Sequence, residues 1–194
     1  FSIDLRDNPG GLLQSAIEIL DMLIPKGELL LSTKGRMPEA NKRYIARKTP
    51  IIEDDVKIAI LINEGSASAS EIISGTIQDL DRGVIVGTPS FGKGLVQSVY
   101  GLDSSGKRSL KVTTAKYYVP SGRLIQKPGY INDKLVVRDE KEDSIFVTVG
   151  GRKVKGEGGI TPDYEVVMPK STPLLLECWR KGLFFSFAQE WQHK

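Results

Sequence analysis

Apolar positions in the first half of the chain follow two rhythms in turn. Phe1-Ser2-Ile3-Asp4-Leu5-Arg6 alternates apolar and polar residues, the period of a half-buried strand, and runs into Asp7-Asn8-Pro9-Gly10-Gly11, a dense turn signal. Between Leu12 and Ile24 the spacing of Leu13, Ile17, Leu20 and Leu23 is helical, and Pro25 and Gly27 stop the run. Glu28 to Ser32 reads as a short strand, whereas residues 33–54 are polar, basic and aperiodic, which predicts a surface loop or lid. Val56 to Ile62 is a compact apolar run fit for a buried strand, and Asn63-Glu64-Gly65 punctuates it. Ser66 to Leu80 reads as a helix and Gly83 to Gly87 as a second buried strand, followed by the glycine-rich segment 88–94. Strand, helix, strand, strand, helix, strand is the order of a layered α/β core.

Beyond Gly94 the pattern turns to strands, Leu95 to Leu102 and Leu110 to Val119, around an Asp-Ser-Ser-Gly turn. Residues 129–158 are charged and glycine-rich around one apolar run, Ser144 to Val149, and predict an inserted surface hairpin. We therefore divide the chain into a core over residues 1–170 and a helical tail over 171–194. Leu174, Leu175, Leu176, Trp179, Leu183, Phe184, Phe185, Phe187, Ala188 and Trp191 cannot share one helical face. The tail is expected to pack on the core, on a region outside this chain, or on a second copy. The chain opens inside a strand pattern without methionine, so the expectation is a piece of a longer protein.

Composition narrows the chemistry. With 40% apolar and 26% charged residues among 194, the chain has material for a sizeable core. Its net charge of +3 lacks the dense basic stripe that nucleic acid draws, so no nucleic-acid partner is expected. No run approaches a membrane span. One cysteine, Cys178, excludes an internal disulfide and multi-cysteine metal sites, and the one histidine, His193, lies at the extreme C-terminus. Histidine-based catalysis and histidine-rich metal sites thus lack candidates, and neither metal nor cofactor is expected.

Three segments could carry chemistry. Gly65-Ser66-Ala67-Ser68-Ala69-Ser70-Glu71 joins a predicted strand to a predicted helix, which would expose a serine hydroxyl beside the unpaired N–H groups of a helix start. Ser68-x-x-Glu71 equally fits a capping box. Without histidine, the base for a serine would be a lysine, whose ammonium form burial disfavours. Lys93, set between glycines in Phe91-Gly92-Lys93-Gly94, fits that role, although a solvated turn lysine is the commoner case. The same stretch from Gly87 matches a phosphate-binding loop up to its last position. There Gly94 replaces the magnesium-binding hydroxyl, Pro89 fits poorly, and a strand rather than a helix is predicted to follow. A helix after Gly94 would favour this nucleotide-binding alternative. Ser104-x-x-Lys107 has serine–lysine spacing but sits in a turn. Asn8-Pro9-Gly10-Gly11 would share an edge with Ser68 if their strands run parallel.

Together these segments resemble the C-terminal processing peptidases, tail-specific serine proteases with a serine–lysine dyad. The resemblance rests on Asp4 to Gly11, Asn63 to Ile72, Phe91 to Gln97, Thr113 to Arg123 and Gly158 to Asp163, five motifs in family order. It implies Ser68 as nucleophile, Lys93 as base and Gln97 as a support that orients the lysine amine. It implies an oxyanion hole from the N–H of Ala69 and one from the Gly10–Gly11 pair, most readily Gly11. By the same resemblance the fold is a Clp protease/crotonase-like layered α/β core, with a β-rich C-terminal half and the helical tail. The implied activity is endoproteolysis near the C-terminus of protein substrates through an acyl-enzyme, without metal. The implied partners are proteins or peptides with accessible C-termini. The PDZ domain that usually precedes this region is absent from the chain. The implied location of the parent protein is the cell envelope or periplasm. The stretch between Gln126 and Gly158 is longer than in many members.

Overall fold

The computed structural model describes residues 1–103, 106–127, 130–131, 134–135, 145–156, 158–166 and 172–192. Twelve strands form among them: β1 (Ser2–Asp4), β2 (Leu29–Gly35), β3 (Lys42–Ile45), β4 (Ile58–Ile62), β5 (Gly83–Gly87), β6 (Leu95–Gly101), β7 (Ser109–Tyr118), β8 (Tyr130–Ile131), β9 (Lys134–Leu135), β10 (Ile145–Val147), β11 (Lys153–Lys155) and β12 (Tyr164–Glu165). Four α-helices join them: α1 (Leu13–Leu23), α2 (Ala69–Asp79), α3 (Pro173–Arg180) and α4 (Leu183–Gln192). Among the described residues no helix is long and apolar enough to cross a membrane.

Two four-stranded sheets enclose the core. The first runs β1-β4-β5-β12 with every neighbouring pair parallel, so the loops after β1, β4 and β5 leave from one edge. The second runs β3-β2-β7-β6 and is antiparallel throughout. Helix α2 touches β5 of the first sheet and β2 of the second, and all eleven of its residues are buried. Burial on every side explains its composition, which is small and polar rather than leucine-rich. A Cβ on Gly75 would come within 2.9 Å of both Ile160 and Val119. Thr76 Oγ1 donates to Leu30 O at 2.8 Å and Ser74 Oγ to Ser70 O at 2.9 Å, so the hydroxyls are satisfied where they are buried. Helix α1 packs beside α2 through Ala16, Leu20 and Leu23, and Ile60, Ile62 and Ile85 complete the centre.

The α/β order read from the pattern is the order found. One reading changes and two gain detail. Residues 33–54 are not a plain loop: β2 continues to Gly35, a 3-10 turn spans Pro38–Ala40, and β3 pairs back on β2. Thr33 makes this possible, because its hydroxyl donates to Ala40 O at 2.6 Å and accepts from Lys42 N at 3.3 Å. The inserted segment forms two separate antiparallel pairs among its described residues, β8–β9 and β10–β11. The β10–β11 hairpin is fastened to the core rather than free on the surface. Its Arg152 forms ion pairs with Asp81 and with Asp163 (2.7 Å), and Val149 N donates to Asp79 O at 2.9 Å. The tail is two helices, broken at Gly182 with φ +66°.

Candidate active site

The loops that leave the common edge of the parallel sheet meet at one cavity of about 270 Å³. After β1, Gly11, Leu12 and Leu13 line it. Ser68, Ala69 and Ile72 come from the loop after β4 and the first turn of α2. Lys93 follows β5, and Leu95, Val96 and Gln97 begin β6. Lys111 and Tyr117 of β7 complete the wall. Ser68, Lys93, Gln97, Ala69 and Gly11, which come from distant parts of the sequence, therefore share one cavity.

The turn that carries Ser68 is strained and tightly stitched. Ser68 has φ 57° and ψ −114°, a conformation that side-chain-bearing residues adopt at a cost of roughly 1–3 kcal/mol. The stitching selects one serine of the three. Ser66 Oγ donates to Leu5 O at 2.7 Å and Ser70 Oγ to Asn8 O at 3.0 Å, so both hydroxyls serve the backbone of the β1 loop. Ser68, half-buried, opens on the cavity. Its amide donates to Glu71 Oε2 at 2.8 Å, one arm of the capping box. The Glu71 amide in turn faces the Ser68 side chain, the other arm of the box, and bonds the Ser68 carbonyl at 2.9 Å.

Two helices begin at this cavity. Ala69 is the first residue of α2, a position whose N–H has no intrahelical partner. Helix α1 starts at Leu13, directly after Gly11 and Leu12, and no side chain caps it. Both N-termini favour negative charge in the cavity. Of the glycine pair, Gly10 packs against the serine turn: at φ +84°, an added Cβ would lie 2.4 Å from Ala67 O and 2.6 Å from Ala69 N. Its N–H bonds Asn8 Oδ1 at 2.9 Å, which leaves Gly11 as the glycine facing the cavity.

Sequence reading gave Glu71 only a capping role. The structure makes it the hub of the site. Glu71 is fully buried; besides the Ser68 amide, it accepts from Ser90 Oγ (2.5 Å), Gly92 N (2.6 Å) and Lys93 N (2.8 Å). One carboxylate thereby fastens the Lys93 loop to the Ser68 turn. This also disposes of the phosphate-loop alternative. The amides that would cradle a phosphate already hold an internal carboxylate, and β6, not a helix, follows Gly94. The Gly158–Asp163 motif braces the same loop, with Ile160 N on Ser90 Oγ at 2.7 Å. Gln97 follows a register shift between β6 and β7, and bulges of this kind re-aim side chains. Tyr117, which sequence reading missed as a site residue, donates its hydroxyl to Lys93 O and lies 3.2 Å from Ser68 O. The Thr113–Arg123 motif contains it but implies no role for it, and alternation in β7 explains its apolar character. Ser104 and His193 lie outside the described residues. Among the described residues no group of three or more His, Cys, Asp or Glu side chains is placed to hold a metal.

A family model, peptidase family S41, matches residues 2–136, well over half of the chain. The chain belongs to peptidase family S41. It is 45% identical over 158 residues to the carboxy-terminal-processing protease of Bartonella bacilliformis, covering 80% of this chain and 36% of that protein. It is 42% identical over 122 residues to the chloroplastic carboxyl-terminal-processing peptidase 1 of Arabidopsis thaliana, covering 62% of this chain and 24% of that one. Among solved structures, a photosystem II D1 C-terminal processing protease aligns with a TM-score of 0.58 at 29% identity, over 88% of this chain and 36% of its own. The S41 chain spans roughly a quarter to a third of the length of these relatives. Its two-sheet α/β core is the Clp protease-like fold of the S41 proteases, as the five motifs implied.

Proposed function

We propose that this S41 chain is the catalytic core of a serine endopeptidase that cleaves protein substrates near their C-terminus through an acyl-enzyme. The observation that carries the reading is the convergence on one cavity of the Ser68 side chain, Lys93, Gln97 and the N-termini of two helices. Ser68 Oγ attacks the scissile carbonyl while the Lys93 amine takes its proton. The carbonyl oxygen, now an oxyanion, accepts hydrogen bonds from the N–H groups of Ala69 and Gly11. Lys93 then returns the proton to the leaving amine, and water attacks the remaining ester by the same route. Gln97 orients the Lys93 amine.

Ser68→Ala and Lys93→Ala should each abolish cleavage of an unstructured protein such as casein while leaving the melting temperature within a few degrees. Near-normal turnover in the Lys93 variant would transfer the role of base to another group. Unchanged turnover in the Ser68 variant would sink the peptidase reading.

The substrates proposed are proteins or peptides with accessible C-termini. The parent protein is proposed to be longer, to carry a PDZ domain that delivers those C-termini, and to work at the cell envelope or in the periplasm. Delivery converts an encounter into a local event, worth several kcal/mol of barrier. The chain alone should cleave casein slowly, and fusion of a peptide-binding PDZ domain should accelerate it at least tenfold. A chain already as fast as the fusion would refute this dependence. Self-association through the tail is the remaining proposal.

A further inference from the structure

Tyr117 closes β7 in the second sheet, remote in sequence from the serine turn and the lysine loop. Its side chain is 1% exposed, its ring walls the cavity, and its backbone N–H donates to Gly94 O at 3.0 Å. The hydroxyl meets main-chain oxygens of both turns, Lys93 O and Ser68 O. Glu71 holds the amides of the same two residues, each at 2.8 Å. Lys93 is thus gripped at both ends, at the N–H by Glu71 and at the C=O by Tyr117, and the single phenolic proton is shared with Ser68 O, which also accepts from the amides of Glu71 (2.9 Å) and Ile72 (3.0 Å). A residue held at both ends cannot redirect its Cα–Cβ bond without breaking a buried hydrogen bond. Both residues need such restraint, because Ser68 is strained and Lys93 follows Gly92 at φ +87°.

We propose that Tyr117 is a positioning residue of the S41 site, whose one hydroxyl proton, given to Lys93 O and shared with Ser68 O, holds the lysine loop against the serine turn and so fixes the proposed base relative to the proposed nucleophile. Burial, with the nearby charge of Glu71, holds the phenol well above its usual value and keeps it a donor. Tyr118 cannot substitute. Successive strand residues face opposite sides, and its ring lies 5.0 Å from the Lys34 amine.

The proposal rests on the peptidase reading for its kinetic half only. Tyr117→Phe removes one oxygen and keeps the ring. In cleavage of a fluorescein-labelled casein by the 194-residue chain, kcat should fall at least tenfold with KM within twofold. Val119→Ala, a core truncation two residues on, controls for general loosening and should hold kcat within twofold. Backbone amide exchange reads the clamp without turnover: in Tyr117→Phe, segments 63–71 and 88–95 should exchange about fivefold faster, whereas β4 keeps its wild-type rate. Unaltered exchange in those segments overturns the proposal whatever the kinetics. So does faster exchange with kcat unchanged, or an equal kcat loss in Val119→Ala. A wild-type chain that cleaves no casein counts against the peptidase reading, and the exchange result then decides the clamp by itself.

Discussion

Glu71 is where one residue carries more than its local pattern indicates. The Ser-x-x-Glu spacing announces a helix cap, and the Glu71 carboxylate does bind the Ser68 amide. Its other three donors arrive from residues 90, 92 and 93, across a strand and a turn, so no short-range spacing could reveal them. The positions proposed for nucleophile and base, Ser68 and Lys93, were legible because glycine and small residues cluster around them in recognisable motifs. The acid that joins the two was half legible, and Tyr117 stood in a motif that gave it no role. Glu71→Gln tests the hub. The amide nitrogen that replaces one oxygen must face either the Ser90 hydroxyl and Gly92 N–H or the amides of Ser68 and Lys93, donor against donor. A buried donor left without an acceptor costs about 1–3 kcal/mol. Two of them should lower stability by roughly 2 kcal/mol or more, read as a shifted urea midpoint at constant slope, with cleavage at least a hundredfold slower. A variant that unfolds and cleaves like wild type would remove Glu71 from the site's framework.

At the scale of elements, periodicity found those whose burial has one clear face or two. β4, β5 and α1 emerged close to their observed bounds for that reason. The failures have physical causes: β3 is exposed at three of its four positions and pairs on one side only, so its sequence shows no alternation. The β10–β11 hairpin reads as a charged surface insertion because its attachment is ionic. Arg152 lies between Asp81 and Asp163, and Asp81 also accepts from Gly150 N. Burial by itself would raise the Asp81 carboxyl, but hydrogen bonds from Thr148, Gly150 and Arg152 outweigh it and bring it below the ordinary 3.8. A carboxylate depressed on folding stabilises above its unfolded pKa and loses that contribution as pH falls through the folded one. The hairpin should therefore hold from neutral pH down to about 4 and loosen below it. Amide exchange of segment 145–155 at pH 3 should accelerate more than that of β4. Asp81→Asn should loosen the hairpin already at pH 7 and flatten its response to acid. Because Asp21, hydrogen-bonded by the amides of Arg47 and Lys48, is depressed too, this variant is what assigns the effect to Asp81. An Asp81→Asn hairpin as protected as wild type at pH 7 would mean that apolar contacts such as buried Val154 carry the attachment.

The whole molecule is a closed core with an open appendage. Two sheets and the central helix enclose a core that runs from Leu5 to Ile125 and takes in Ile160, and they set the cavity at the edge where three parallel strands end. The tail departs from that economy. Helices α3 and α4 meet each other edge to face through Trp179 and Phe184 at 5.9 Å, and Phe187 stacks on Trp191 at 6.0 Å. Yet Trp179, Phe185 and Trp191 remain about 70% exposed, and Leu174, Leu176, Leu183, Phe184 and Phe187 are exposed as well. The sequence made this tension visible, since the apolar positions cover more than one helical face, but periodicity cannot say what covers them. Monomeric soluble proteins seldom expose contiguous apolar patches beyond a few hundred Å². Water should therefore drive the tails of separate chains together. Light scattering at micromolar concentration should report a mass above that of the 21.3 kDa monomer, falling to the monomer when residues 173–194 are removed. Because these helices contribute nothing to the cavity, the shortened chain should keep its melting temperature within a few degrees and its rate of casein cleavage. Two monomeric forms, with the shortened one markedly less stable, would make the tail a cover for the core and dismiss it as an interface.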